Sequence, residues 1–128
     1  MRLWTTPTNE VDEDVLQELV DAGASESVTL DFKCCLNLKD GNAKSEFLAD
    51  VSAFANARGG HLIIGMEETE RVASGLPGID VDNGDNLEQK IQNIVDDGID
   101  PRIHGFQVRV VDLANGRAAI VMWVPRSW

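Results

Sequence analysis

Apolar residues recur along this chain with two different periods, and the switches between them predict its elements. Val11, Val15, Leu16 and Leu19 fall on one helical face. Thr8 or Asn9 is placed to cap that helix, Asp12, Glu13 and Asp14 suit the positive end of its dipole, and Gly23 stops it. The period then becomes two: Val28, Leu30 and Phe32 alternate with Thr29, Asp31 and Lys33, as in a half-buried strand. A turn at Asp40-Gly41 leads to a second helix, capped by Asn42, whose stripe of Phe47, Leu48, Val51, Phe54 and Ala55 ends at Arg58-Gly59-Gly60. Residues 62–66 are apolar on both faces, as in a central strand. Glu67 and Glu68 follow, then a polar turn, a short return strand near 71–73 and a loop over 75–84. Leu87, Ile91, Ile94 and Val95 define a third helix, capped by Asp85 and ended by Gly98, with Pro101 just beyond. Strands over 106–111 and 118–124 close the chain around Asn115-Gly116, the strongest short-range hairpin signal. These elements predict an α/β (α+β) domain, a single mixed β-sheet with about three helices packed on it.

The length of 128 residues fits one domain over 1–128, and 43% hydrophobic residues in short periodic runs supply its core. The longest apolar runs fall far short of the ~20 residues that cross a bilayer, so no membrane partner is expected. The first residues lack the apolar core and cleavage site of a secretory signal, which predicts a cytoplasmic protein. A large aromatic, Trp128, ends the chain straight after a core strand, as in the N-terminal part of a longer protein with downstream domains.

Charge narrows the functional classes. Twenty-two acids against 11 lysines and arginines give a net charge of −11, which argues against non-specific coating of nucleic acid, a process driven by cationic neutralisation of phosphate. What remains open is a protein whose acids hold metal ions, one whose cations cluster locally, or one that takes its affinity from another domain. The cations available are Lys33, Lys39, Lys44, Arg58, Arg71, Arg102, Arg109 and Arg117. Cys34 and Cys35 are adjacent and read as reduced thiols, at least one of them packed. His61 and His104 have no acid or cysteine at ligand spacing, so each reads as structural or exposed, and no phosphate-binding loop or G-x-G-x-x-G is present.

Two stretches carry the candidate chemistry, residues 26–33 and residues 52–68. If their strands lie side by side, Glu26, Asp31 and Glu67 or Glu68 approach one sheet edge, where three carboxylates hold a divalent cation over a phosphodiester. Asp31 and Lys33 share a strand face, and a lysine there serves the attacking water or the developing charge. Glu26 lies five residues before Asp31, so the two meet only if the chain turns near Ser27. The competing reading pairs Asp31 and Lys33 with opposite charges on neighbouring strands, worth up to ~1 kcal/mol each. It leaves the other acids as a solvated face.

Taken together, E-S-V-T-L-D-F-K at 26–33, S-A-F-A-N-A-R-G-G-H-L-I-I-G at 52–65, M-E-E at 66–68 and V-P-R-S at 124–127 resemble the Schlafen AlbA-like domain family over roughly residues 15–127. The resemblance implies an α/β nucleic-acid-binding module, often N-terminal to a helix-turn-helix or ATPase region in prokaryotic regulators. Some animal Schlafen proteins are RNA endonucleases with a three-acid metal site. Carried over by motif, that site falls on Glu26, on Asp31 where the family has Glu, and on Glu68 where it has Asp, with Lys33 assisting and Mg or Mn as cofactor. Those nucleases use two lobes and a basic groove, so a single acidic lobe would take its second from a homodimer. Three readings follow: a DNA- or RNA-binding domain of a cytoplasmic regulatory protein, a metal-dependent endoribonuclease using Glu26, Asp31, Lys33 and Glu68, and a structural or oligomerisation domain.

Overall fold

In the computed structural model, which describes residues 1–127, the chain forms three helices and six strands in the order α1 (Glu13–Asp21), β1 (Leu30–Lys33), α2 (Gly41–Asn56), β2 (Gly60–Ile64), β3 (Glu67–Thr69), β4 (Val72–Gly75), α3 (Gly84–Gly98), β5 (Gln107–Asp112) and β6 (Ala118–Val124). Short 3-10 turns at Arg2–Thr5 and Thr8–Glu10 precede α1. The main sheet is mixed, in the order β1-β2-β6-β5, with β1 and β2 parallel and the other pairs antiparallel. β3 and β4 make a separate two-stranded sheet, an addition to the single sheet expected. None of the described helices is long and apolar enough to cross a membrane.

Both faces of the main sheet are covered, which is why β2 and β6 read as continuous apolar runs. On one face Phe32, Ile63 and Val121 stand in register beneath Leu3, Val15, Leu16 and Leu19. On the other, Leu62, Ile64, Ile120 and Met122 meet Phe47 and Val51 of α2 and Ile91 and Val95 of α3. The three helical stripes therefore face the core as their spacing predicts.

Each helix begins elsewhere than expected, and the reason is local. Asp12 caps α1 in place of Thr8 or Asn9, because residues 8–10 are taken up in a 3-10 turn; its Oδ1 accepts from the Val15 N–H at 3.0 Å. Asp40 caps α2 in place of Asn42, and Asn83 caps α3 in place of Asp85, each accepting from the N–H three residues on, at 2.7 Å and 3.0 Å. An Asx side chain caps wherever the preceding backbone is extended, and in both helices that position comes two residues earlier. Val28 corrects the expected strand: it is 64% exposed at the tip of a turn, and the inward alternation begins only at Leu30. Cys34 and Cys35 are both exposed free thiols, so neither packs, because the strand has ended at Lys33.

Two glycines fix how α2 enters β2. Gly59 has φ +73° and Gly60 φ +148°, both disfavoured for a side chain. A Cβ on Gly59 would strike the Val124 carbonyl, and one on Gly60 would strike the Thr29 carbonyl. The double glycine thus lets β2 lie against β1 and β6 at once, and places Asp31 directly opposite Leu62 in register.

Candidate functional site

The βαβ unit made by β1, α2 and β2 assembles a charged cluster at the sheet edge. β1 is an edge strand, so alternate N–H groups point outward without a ladder partner. A tight turn joins Ser27 to Leu30, each N–H donating to the other's carbonyl at 2.9 and 3.3 Å, and it folds Glu26 back beside the strand. The outward Phe32 N–H then donates to Glu26 Oε2 at 3.1 Å and to Asp31 Oδ1 at 3.0 Å. Glu26 and Asp31 meet at one backbone donor, through the turn near Ser27 that their spacing requires.

Lys33 and Asp50 complete the cluster. The Lys33 ammonium lies 3.1 Å from Asp50 Oδ2 on α2 and 3.9 Å from Asp31 Oδ2. Arg71 approaches from the β3–β4 turn, its Nε 3.9 Å from Glu26 Oε1, while its carbonyl accepts from the Glu26 N–H at 2.7 Å. Asp31, Asp50 and Arg71 border a cavity of about 350 Å³ with Ser27, Val28 and Phe54. Asp50 and Arg71 were invisible as partners in the sequence. Asp50 reads as one acid of a solvated helix face until α2 is laid across the β1–β2 pair, and Arg71 reads as part of a short return strand.

The charges settle unequally. Burial, and then the neighbouring Glu26 carboxyl, push Asp31 up to about 6. Glu26 is held below the usual carboxylate range, chiefly by its hydrogen bond with Asp31 and by the Phe32 N–H. Of these two close acids Asp31 is the one that takes up a proton first, as pH falls through about 6. Burial works against the Lys33 charge, but Asp50, Asp31 and Glu26 outweigh it and raise its pKa.

Glu68 stands apart from this pair. β3 and β4 are joined by a two-residue turn at Glu70 and Arg71, both with positive φ, +52° and +69°. A type I′ hairpin turn needs this and normally uses Asn or Gly. Glu68 Oε2 accepts from the Arg71 N–H at 2.5 Å and so holds the turn together. Glu67 lies across from Gly75 and lines a different cavity with Cys34 and Ser74. Replacing Glu70 by Gly relieves one left-handed position and is expected to stabilise the domain by up to about 1 kcal/mol in urea unfolding. A decrease would mean that the Glu70 side chain holds the turn.

A divalent cation asks for several carboxylate oxygens around one point. Among the described residues no group of three His, Cys, Asp or Glu side chains is placed to hold one. Glu26 and Asp31 converge, but Arg71 and Lys33 compensate their charge and Glu68 is engaged in its turn. As arranged, the three acids do not gather around one point: Glu26 and Asp31 form a pair between Arg71 and Lys33, and Glu68 is held in its turn.

Comparisons with known proteins agree with this architecture. Residues 26–127 match the family described as Schlafen, AlbA_2. The fold resembles the N-terminal domain of a RecG-related protein from Nitrosomonas europaea, solved by NMR in solution, with a TM-score of 0.52 and 18% identity over 88% of this chain and 71% of that one. Among curated proteins no significant match is found. With four-fifths of its length matched, from the acid pair to the end of the last core strand, the chain belongs to the Schlafen AlbA_2 family.

Proposed function

We propose that this domain associates with nucleic acid as the recognition module of a larger cytoplasmic regulatory protein. The observation that carries the reading is the fold shared with the N-terminal domain of a protein whose name refers to an ATP-dependent DNA helicase. Charge sets how such binding would work. Arg2, Lys33, Arg71, Arg102 and Arg117 already pair with carboxylates, and Arg109 donates to the Val11 carbonyl. Lys39, Lys44, Arg58 and Lys90 make no ion pair among the described residues, and Lys44 and Lys90 line one groove of about 630 Å³ between α2 and α3. So few free cations neutralise few phosphates. Affinity from this domain alone would be modest, and a second copy or downstream domains would add to it.

A second reading, cleavage of a phosphodiester, is favoured by the convergence of Glu26, Asp31 and Lys33. It would require Glu68 to leave the Arg71 turn and join them. Incubation with structured RNA and single-stranded DNA, in Mn²⁺ or chelator and beside Asp31→Asn, separates the readings. Retention without cleavage is expected of a recognition module. Mn²⁺-dependent cleavage lost in the variant would establish the nuclease with its site, and failure of both retention and cleavage would leave a structural or oligomerisation domain.

A further inference from the structure

A second concave site lies across the main sheet from the acid pair, toward its β5 edge. His61 on β2, Trp123 on β6 and Gln107 on β5 stand in one register row. The N-terminal turn lays Trp4 over that row. The His61 ring lies between the two indoles, with centroids 5.7 Å from Trp4 and 4.9 Å from Trp123 and planes tilted by 52° and 49°. Beside them lies a cavity of about 270 Å³ with Thr5, Thr6 and Gln107 at its rim. Its volume is just below the ~300–1,000 Å³ of pockets that enclose drug-sized ligands, so it suits one planar ring system.

Two features decide what ring. First, the chain holds 22 acids, yet none lines this cavity. A cationic guest such as a methylated ammonium would find no counter-charge. Second, exposed arginines flank the row in sequence on both strands: Arg58 comes three residues before His61, and Arg126 three after Trp123. Gly59, which follows Arg58, packs against the other strand's end, where its Cβ would lie 2.8 Å from the Arg126 nitrogen. Trp4 leaves 49% of its surface in water, so part of the indole is open to a stacking partner. Gln107 is exposed and its amide has no hydrogen-bond partner among the described residues, so it offers both a donor and an acceptor. Burial drives the His61 pKa down to about 4, so the imidazole stays neutral near pH 7 and adds no repulsion to a neutral ring.

We infer that the cleft beside Trp4, His61 and Trp123 takes a single unpaired nucleobase, stacked on an indole and read at its edge by Gln107, with Arg58 in the turn before β2 as the nearest cation along that strand for an adjoining phosphate. The inference rests on the nucleic-acid association proposed above and adds to it a preference for unpaired strands. Base stacking on protein aromatics is sequence-tolerant and strong enough to dominate where few cations are available.

The test uses a labelled single-stranded oligonucleotide and an abasic strand of equal length, with wild type, Trp4→Ala and Gln107→Ala, after thermal melting has shown each variant folded. The base-bearing strand is expected to bind at least about tenfold tighter than the abasic one, and Trp4→Ala to erase most of that difference. Equal affinities for the two strands, or no effect of Trp4→Ala, would overturn the base site while leaving nucleic-acid association standing. If neither strand binds, that association fails, and a titration with a nucleoside monophosphate decides the cleft separately. Shifts of the Trp4 and Trp123 indole N–H resonances uphold it, and their absence overturns it. Should Trp4→Ala fail to fold, Gln107→Ala and the abasic comparison still decide.

Discussion

Gly60→Ala is expected to cost about 4 kcal/mol or more, enough to unfold much of a domain whose total stability is on the order of 5–15 kcal/mol. Two effects add. The backbone there has φ +148°, open in practice to glycine alone. The new Cβ would also collide with the Thr29 carbonyl group, whose carbon and Cα lie 2.6 and 2.7 Å away. Thr29 cannot withdraw, because its carbonyl accepts the His61 N–H at 2.9 Å, a link that starts the parallel β1–β2 ladder. Relief therefore means separating the strand that carries Asp31 from the centre of the sheet. Gly41→Ala is the control. Nothing lies within 4 Å of its Cβ, and alanine at the start of α2 is expected to change stability by less than about 1 kcal/mol, on the favourable side. Urea unfolding of both variants decides the matter, and a Gly60→Ala protein within about 1 kcal/mol of wild type would show that β1 is not held against β2 in this way.

Asp31→Asn is expected to change how stability depends on pH. Two groups, buried His61 and half-buried Asp31, titrate in the same range with opposite signs. His61 is pushed from the usual 6.5 down to about 4, by burial between the indoles. Below pH 6.5 the unfolded chain takes up a proton that the folded one refuses, so stability is lost as pH falls from 6.5 to 4, by about 3 kcal/mol. Asp31 is raised from the usual 3.8 to about 6. As pH falls through 6 the folded state takes up a proton that the unfolded chain accepts only near 3.8, so stability is gained over that interval. The gain is about 1–2 kcal/mol, discounted because the side chain is 32% exposed and shares its proton with Glu26. In the wild type the Asp31 gain offsets only part of the His61 loss.

Asparagine at position 31 can donate to Glu26 permanently and carries no charge to desolvate. The variant should gain about 1–2 kcal/mol at pH 7 and then lose the full His61 contribution on acidification. Urea midpoints at pH 7, 5.5 and 4, compared as variant minus wild type, give the test. Parallel pH profiles would mean that Asp31 and Glu26 do not share a proton. A stabilising substitution at a candidate site is also informative in itself, since an acid kept at a cost to folding points to use elsewhere.

How much of this was legible beforehand depended on how local each determinant was. The helical stripes and the β5–β6 hairpin follow from spacing alone, and the structure has them. The caps moved by two to four residues because Asp12, Asp40 and Asn83 compete with equally good neighbours, and only the path of the preceding backbone decides between them. The meeting of Glu26 with Asp31 was readable as a condition, a turn near Ser27, because strand alternation forbids it otherwise. The placement of Glu68 was not readable, since its motif position says nothing about a strained turn at Glu70 and Arg71 that needs its carboxylate. His61, expected to be structural or exposed, is buried, and its setting between Trp4 and Trp123 joins parts of the chain that no sequence period connects. Long-range packing is where pattern reasoning stops, and both concave sites described above depend on it.

Nucleic-acid association is tested most directly by fluorescence anisotropy of a labelled single-stranded oligonucleotide across a salt series. Two to four neutralised phosphates predict a slope of log K against log salt between about −1.4 and −2.8, with weak but saturable binding at low salt and equal affinity in Mn²⁺ and in chelator. Binding absent at every salt concentration would contradict the association outright, and the acidic surface would then be that of a structural domain.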